Sequence, residues 1–264
     1  MRWLLVGVFG CAGKAVPTAG PSETSHYSVS IEAEFGVITD PATDTVMKDA
    51  VEATLQLRAA LTPVRRFRDG SVGQLFEIED GAMELDGEPY TDLELTGRAI
   101  ELRTFPDGEI LMLGWGSKLA GPQRFMDAFE VVFPGISPAP PSLEPGQVAK
   151  RRIIWPHVST RKLRWDSAVN ATWRNEGSEE VADTTAWRIG YSGPWRIHGG
   201  RRAGADRLKV SASGATKGEV WFDAEDGGLV KHEFEWTRLV EIEGAAGALV
   251  QAQGFKGKIE RLVP

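Results

Sequence analysis

Apolar and polar residues alternate along this chain with a period of two over unusually long stretches. From Val51 to Leu61, the residues Val51, Ala53, Leu55, Leu57, Ala59 and Leu61 share one side of an extended chain, while Glu52, Thr54, Gln56 and Arg58 share the other. Leu163, Trp165, Val169, Ala171 and Trp173 alternate in the same way with Arg164, Asp166, Asn170, Thr172 and Arg174. Each stretch reads as a strand with one dry and one wet face. At about 3.3 Å per residue such strands span roughly 35–40 Å and must bend around a core. Asp-Gly pairs at 69–70, 86–87, 107–108 and 226–227 tolerate the positive φ of tight turns, so consecutive strands are predicted to run antiparallel. One stretch has helical spacing instead: Phe125, Met126, Phe129 and Val132 follow Gly121-Pro122 and end at Pro134. The pattern predicts a mainly β protein. Its long curved antiparallel strands would form an open half-barrel or a two-lobed sheet with one short amphipathic helix, leaving little room for βαβ units.

Prolines at 134, 138, 140, 141 and 145 mark residues 134–146 as an extended linker. It separates a first β-rich half, 27–133, from a second, 147–264. Charge divides in the same way. Ile31 to Glu130 holds 9 Lys or Arg against 20 Asp or Glu, whereas Lys150 to Lys209 holds 13 against 6. The plain reading is two solvated faces; the sharper one is a basic surface for anionic lipid or polymer. A net charge of −7 argues against nucleic acid as a partner.

The N-terminus carries a different signal. Arg2 precedes the apolar run Trp3 to Gly10, and Val8-Phe9-Gly10-Cys11 resembles the lipobox of bacterial lipoproteins. The resemblance implies a signal peptide over 1–10, cleavage before Cys11, and a diacylglycerol on its thiol with palmitate-type acyl chains. Residues 11–26 would then be the lipidated cysteine and a tether, in keeping with the Gly, Pro, Ser, Thr and Ala of Ala12 to Ser25. The partner implied is a membrane, reached through an N-terminal lipid anchor. Ala12, in place of the Asp that retains such proteins at the inner membrane, implies a cell-envelope location at the outer membrane. The alternative makes Trp3 to Phe9 a first strand and Cys11 a buried thiol. With a single cysteine in the chain, no intramolecular disulfide can form, and acylation of Cys11 would leave no thiolate for redox chemistry or metal binding.

Catalytic patterns are weak. Histidines 26, 157, 198 and 232 show no metal-ligand spacing. His232 sits between Val230 and Phe234 on an apolar face, where a hydrogen-bonded core imidazole is expected. Ser159-Thr-Arg-Lys162 has the Ser-x-x-Lys spacing of penicillin-binding enzymes but runs into a strand, where the lysine cannot turn back onto the serine. Asp223 to Gly228 imitates the start of a calcium loop, yet its twelfth position is Phe234. The sequence thus predicts no enzyme, no metal and no cofactor.

Tryptophans 155, 165, 173, 187 and 195 crowd into 41 residues of the second half. Packing explains them most simply; a lined cavity is the alternative. Lipid-tethered, with long curved strands and one helix, the chain from Tyr27 to Pro264 resembles the lipoprotein-carrier type of open β half-barrel, in general plan only. The nearest textual likeness is Glu219-Val-Trp-Phe-Asp followed by Gly228-Leu. That resemblance implies a non-enzymatic envelope lipoprotein binding a lipid or other apolar ligand. The ligand would lie against Trp165, Trp173, Phe234 and Trp236, capped by Phe125, Met126 and Phe129. The competing expectation is a structural or protein-interaction module with no small ligand.

Overall fold

The computed structural model describes residues 23–40, 45–46, 50–90, 95–105, 110–115, 143–159, 163–203, 206–244 and 247–262. All of its regular elements are strands: β1 Ser25–Asp40, β2 Thr45–Val46, β3 Val51–Arg66, β4 Val72–Leu85, β5 Glu88–Pro89, β6 Ala99–Thr104, β7 Ile110–Trp115, β8 Val148–Ser159, β9 Leu163–Val181, β10 Thr184–Ala203, β11 Asp206–Asp223, β12 Leu229–Gly244 and β13 Gly247–Leu262. The helix expected at Phe125, Met126 and Phe129 lies outside the described residues, as do the signal, Cys11 and most of the tether and linker. Among the described residues there is no helix.

The expected alternation holds in β3, where Ala53, Leu55, Leu57, Ala59 and Leu61 are buried. Three of the four expected Asp-Gly turns hold as well, and the fourth, at 107–108, lies outside the described residues. Gly70, Gly87 and Gly227 all have positive φ, at 82°, 79° and 72°, at the β3–β4, β4–β5 and β11–β12 turns. A further two-residue turn carries no glycine: Ala182 and Asp183, with φ of 47° and 62°, join β9 to β10. Both positions need positive φ in such a turn, and alanine gives no signal for it.

Strand order closes back on itself. β1 pairs with β3 on one side and with β13 on the other, so the first and last long strands, one from each half of the chain, are neighbours in one sheet. The circuit runs β1-β3-β4-β6-β7-β8-β9-β10-β11-β12-β13, which among the described residues is eleven strands. A ring of alternating directions requires an even number, so one joint of eleven must be parallel. That joint is β7–β8, held by the single pair Leu111 and His157. Every other joint is antiparallel. As a hydrogen-bonded ladder the curled sheet is therefore open along this one line.

Register explains how the dry face is filled. One row across the sheet reads Trp173, Tyr191, Gly218, Phe234, Gly257, Ile31, Leu55 and Met83, each directly opposite the next. From Tyr191 to Gly257 large and small alternate, so that each glycine leaves room for its neighbour's ring, while Trp173 and Tyr191 stack. A Cβ on Gly257 would sit 2.0 Å from the Phe234 ring, and one on Gly218 would sit 2.6 Å from the Tyr191 hydroxyl. The next row places Thr216, Trp236, Phe255, Ala33 and Ala53 side by side. Trp236 packs edge-on to Trp195 at 4.7 Å and tilted against Phe234 at 5.3 Å.

Gly257→Ala should cost about 1–3 kcal/mol, the range for overpacking a core, because the added carbon overlaps the buried Phe234 ring and forces it to shift. Gly254→Ala, three residues away on the same strand with no atom within 4 Å of the added carbon, should cost much less. Urea midpoints of the two variants check the difference.

Candidate functional site

Of the residues expected to wall a cavity, the sheet brings three together. Trp173 and Trp236 have no exposed surface and Phe234 has 5 %, all within one continuous apolar core. Trp173 stacks on Tyr191 at 4.7 Å, so its neighbours are side chains of the protein itself. Trp165 stands on β9 opposite Gly199 of β10, eight residues along the strand from Trp173. Phe125, Met126, Phe129 and Cys11 lie outside the described residues.

Among the buried polar groups, His232 and Arg238 lie against aromatic rings. His232, 1 % exposed, lies with Nε2 2.9 Å from the Tyr191 hydroxyl, giving both buried groups a partner. Burial also drives the Tyr191 pKa upward, which keeps the phenol protonated and able to donate. Further along the strands Arg238 donates through Nε to Gln253 Oε1, and its guanidinium lies 4.7 Å from the Trp195 ring centre and 5.4 Å from that of Phe255. Aromatic faces and an amide thus accommodate a buried cation. The indole N–H of Trp173 has no hydrogen-bond partner.

The opposite face of the same strands is charged. Because the period is two, the row beside the ring-and-glycine row reads Ser192, Lys217, Glu235, Lys256, Glu32 and Thr54, with signs alternating across four strands. Lys217 Nζ lies 2.7 Å from Glu235, Lys231 Nζ 2.8 Å from Glu233, and Lys258 Nζ 2.7 Å from Glu260. A groove of about 910 Å³ runs over this face, bordered by Ser30 and Glu32 at β1 and by Thr172, Arg174 and Glu176 at β9. Cationic donors and carboxylate acceptors line it in nearly equal number: three lysines and Arg174 against five carboxylates.

Sequence reasoning missed the groove. The pattern was present as Lys217-Gly-Glu219, Glu233-Phe-Glu235 and Lys256-Gly-Lys258 on successive strands, but only the register aligns them. The hydrogen bond and charge of Lys217 hold the Glu235 carboxyl below the usual range. A carboxylate so held is a poor proton donor near neutral pH. No cluster of three metal-ligating side chains occurs among the described residues.

No family model matches the chain, and no curated protein matches it. Among solved structures, a protein described under asymmetric conductivity of engineered proteins is similar at 9 % identity and a TM-score of 0.24, over 91 % of this chain and 100 % of that one. A loop-deletion mutant of OmpT, an outer membrane protein of Vibrio cholerae, is similar at 10 % identity and a TM-score of 0.19, over 90 % of this chain and 99 % of that one. Likeness at that level carries no weight for fold or location. The residues speak for themselves: β11, β12, β13 and β1 bury their apolar face and expose Lys217, Glu235, Lys256 and Glu32. A strand facing lipid requires the reverse.

Buried phenols make stability sensitive to high pH. Burial pushes the Tyr27 pKa up to about 12, whereas an unfolded tyrosine ionises near 10. Above the unfolded value the unfolded chain loses the proton first, so the native state binds more protons and stability falls as pH rises from about 10 to 12. Tyr27→Phe should flatten that part of the profile, measured as urea midpoint against pH.

Proposed function

We propose that the protein is a non-enzymatic, lipid-anchored envelope lipoprotein whose β domain is an interaction module presenting the charged face described above. The observation that carries this reading is the filling of the dry face by its own side chains. Trp173, Phe234 and Trp236, the residues best suited to wall an apolar ligand site, are packed against Tyr191, Trp195 and one another. The groove lies instead over rows of lysine and glutamate. Its lining mixes charged heads with Tyr191, Phe234 and backbone glycines, a surface on which an acyl chain gains less than in a wholly apolar cavity. Mutually paired ammonium and carboxylate groups offer dense hydrogen bonding with little net field, which suits a polar partner surface.

The anchor rests on Cys11 and the run before it, and the outer membrane is the location proposed on the same ground. A single acyl group binds membranes only marginally, whereas the several chains of a lipoprotein cysteine hold the protein firmly. The exposed charge of the domain then prevents it from sinking into the bilayer.

Native mass spectrometry of the protein purified from its own envelope should show the acylated chain without co-purifying lipid. A stoichiometric lipid lost on Trp236→Ala or Met126→Glu would return the reading to a carrier. Cys11→Ser should move the protein out of the membrane fraction and remove the acyl mass from its N-terminal peptide.

A further inference from the structure

We infer that the β3–β4 hairpin tip is a contact for the anionic lipid surface, setting which end of the sheet faces the membrane. The inference deepens the anchored reading above and rests on it for the tether. Its first support is position. Ser25 of β1 pairs with Leu61 of β3, and the Thr24 and Thr62 hydroxyls lie 3.0 Å apart, so the described chain begins beside the far end of β3. Cys11 is twelve residues before Glu23 and cannot be more than about 40 Å from it even fully extended. The opposite end of β1 is about 50 Å further along the strand. A lipid on Cys11 therefore brings the β3–β4 end to the bilayer first.

The tip has the matching chemistry. β3 and β4 continue as a pair past the β1 ladder, from Thr62 to Arg66, for about 16 Å. Val64 on this extension is 67 % exposed, more than any other large apolar side chain described. Arg65, Arg66 and Arg68 are exposed beside it. The tip's one carboxylate, Asp69, accepts from Arg103 Nη2 at 2.6 Å and from the Ser71 hydroxyl at 2.6 Å. Arg65 and Arg103 lie over the Phe67 ring at 4.9 and 4.0 Å, which makes the turn a fixed shape. An excess of guanidinium around an exposed valine fits phosphate headgroups with an apolar residue among them.

The charge of the remainder does not defeat this. The chain is acidic overall at −7, but on the β1 side the extension carries the tip about 16 Å past the ladder, beyond a Debye length of about 8–10 Å, while β6 flanks it on the other side. At the same end Asp223 is tied to Arg261 at 2.7 Å. Within the acidic first half of the chain the hairpin tip is a local basic cluster, with Arg65, Arg66 and Arg68 against Asp69.

The sole native cysteine makes a direct test simple. Full-length Cys11→Ser protein carrying Val64→Cys, or in a second sample Leu239→Cys, is labelled with an environment-sensitive dye and mixed with phosphatidylcholine vesicles with or without phosphatidylglycerol. Leu239 is 50 % exposed and lies toward the other end of the sheet. The expected result is an emission blue shift at position 64 alone, only with phosphatidylglycerol, and weakened more than roughly tenfold in apparent affinity by Arg65→Glu with Arg68→Glu. Lys217→Glu, in the groove, should leave the shift intact. A dye at 64 that stays in water, an equal response at 239, or an equal loss with Lys217→Glu overturns the inference. Acylation is read separately from the wild-type N-terminal peptide. An inserting tip on an unacylated protein would overturn the anchor alone, and a water-exposed tip on an acylated one would overturn the tip alone.

Discussion

The packing of the Phe234 ring across Gly257 and of Tyr191 across Gly218 is the contact on which the rest of the structure depends. Strands of sixteen to twenty residues with one dry face cannot remain flat in water, and that face has to close on itself or on something else. Phe234 has a glycine on either side, Gly218 and Gly257, and Tyr191 faces Gly218 on one side and stacks on Trp173 on the other. The two glycines give the Tyr191 and Phe234 rings room within the row from Trp173 to Met83. The dry face is then consumed by the protein's own side chains, and the charged face becomes the surface available to others. The functional reading follows from that division more than from any single residue.

The same periodicity that fills the interior builds the exterior. A strand that puts Phe234 inward must put Glu233 and Glu235 outward, and the register that sets Gly257 against Phe234 sets Lys256 against Glu235 and Lys258 against Glu233. Core packing and the charged rows are one register seen from two sides. A slip of one residue would destroy both. Exposed ion pairs add about 0–1 kcal/mol each, so the charged rows contribute specificity of register more than stability. The β7–β8 seam is the exception to this continuity. Its single parallel pair satisfies the parity of eleven strands but supplies little cohesion.

Much of the strand architecture was legible in the sequence. Val51 to Leu61 and Leu163 to Trp173 declare their period directly, and the Asp-Gly turns at 69–70, 86–87 and 226–227 sit where strands reverse. The Ala182-Asp183 turn was not legible, because alanine does not advertise positive φ. Whether Trp173, Phe234 and Trp236 line a void or fill it was not legible either. The answer depends on which residues stand opposite them, and Gly218 and Gly257 are brought beside Phe234 by strand pairing rather than by nearness in sequence. The charged groove was hidden for the same reason: each strand shows a short Lys-x-Glu, Glu-x-Glu or Lys-x-Lys alternation, and only their alignment makes a surface. His232 was the opposite case. An imidazole between Val230 and Phe234 implied a buried partner, which proves to be Tyr191.

The central claim is that the dry face is sealed by the protein's own rings. Titration of the full-length Cys11→Ser protein with a fluorescent fatty acid tests it most directly, using energy transfer from the buried tryptophans to the bound chain. A sealed face should give no saturable transfer until urea unfolds the sheet. Saturable one-to-one transfer in the folded protein, displaced by unlabelled fatty acid and lost in Phe234→Ala, would contradict it.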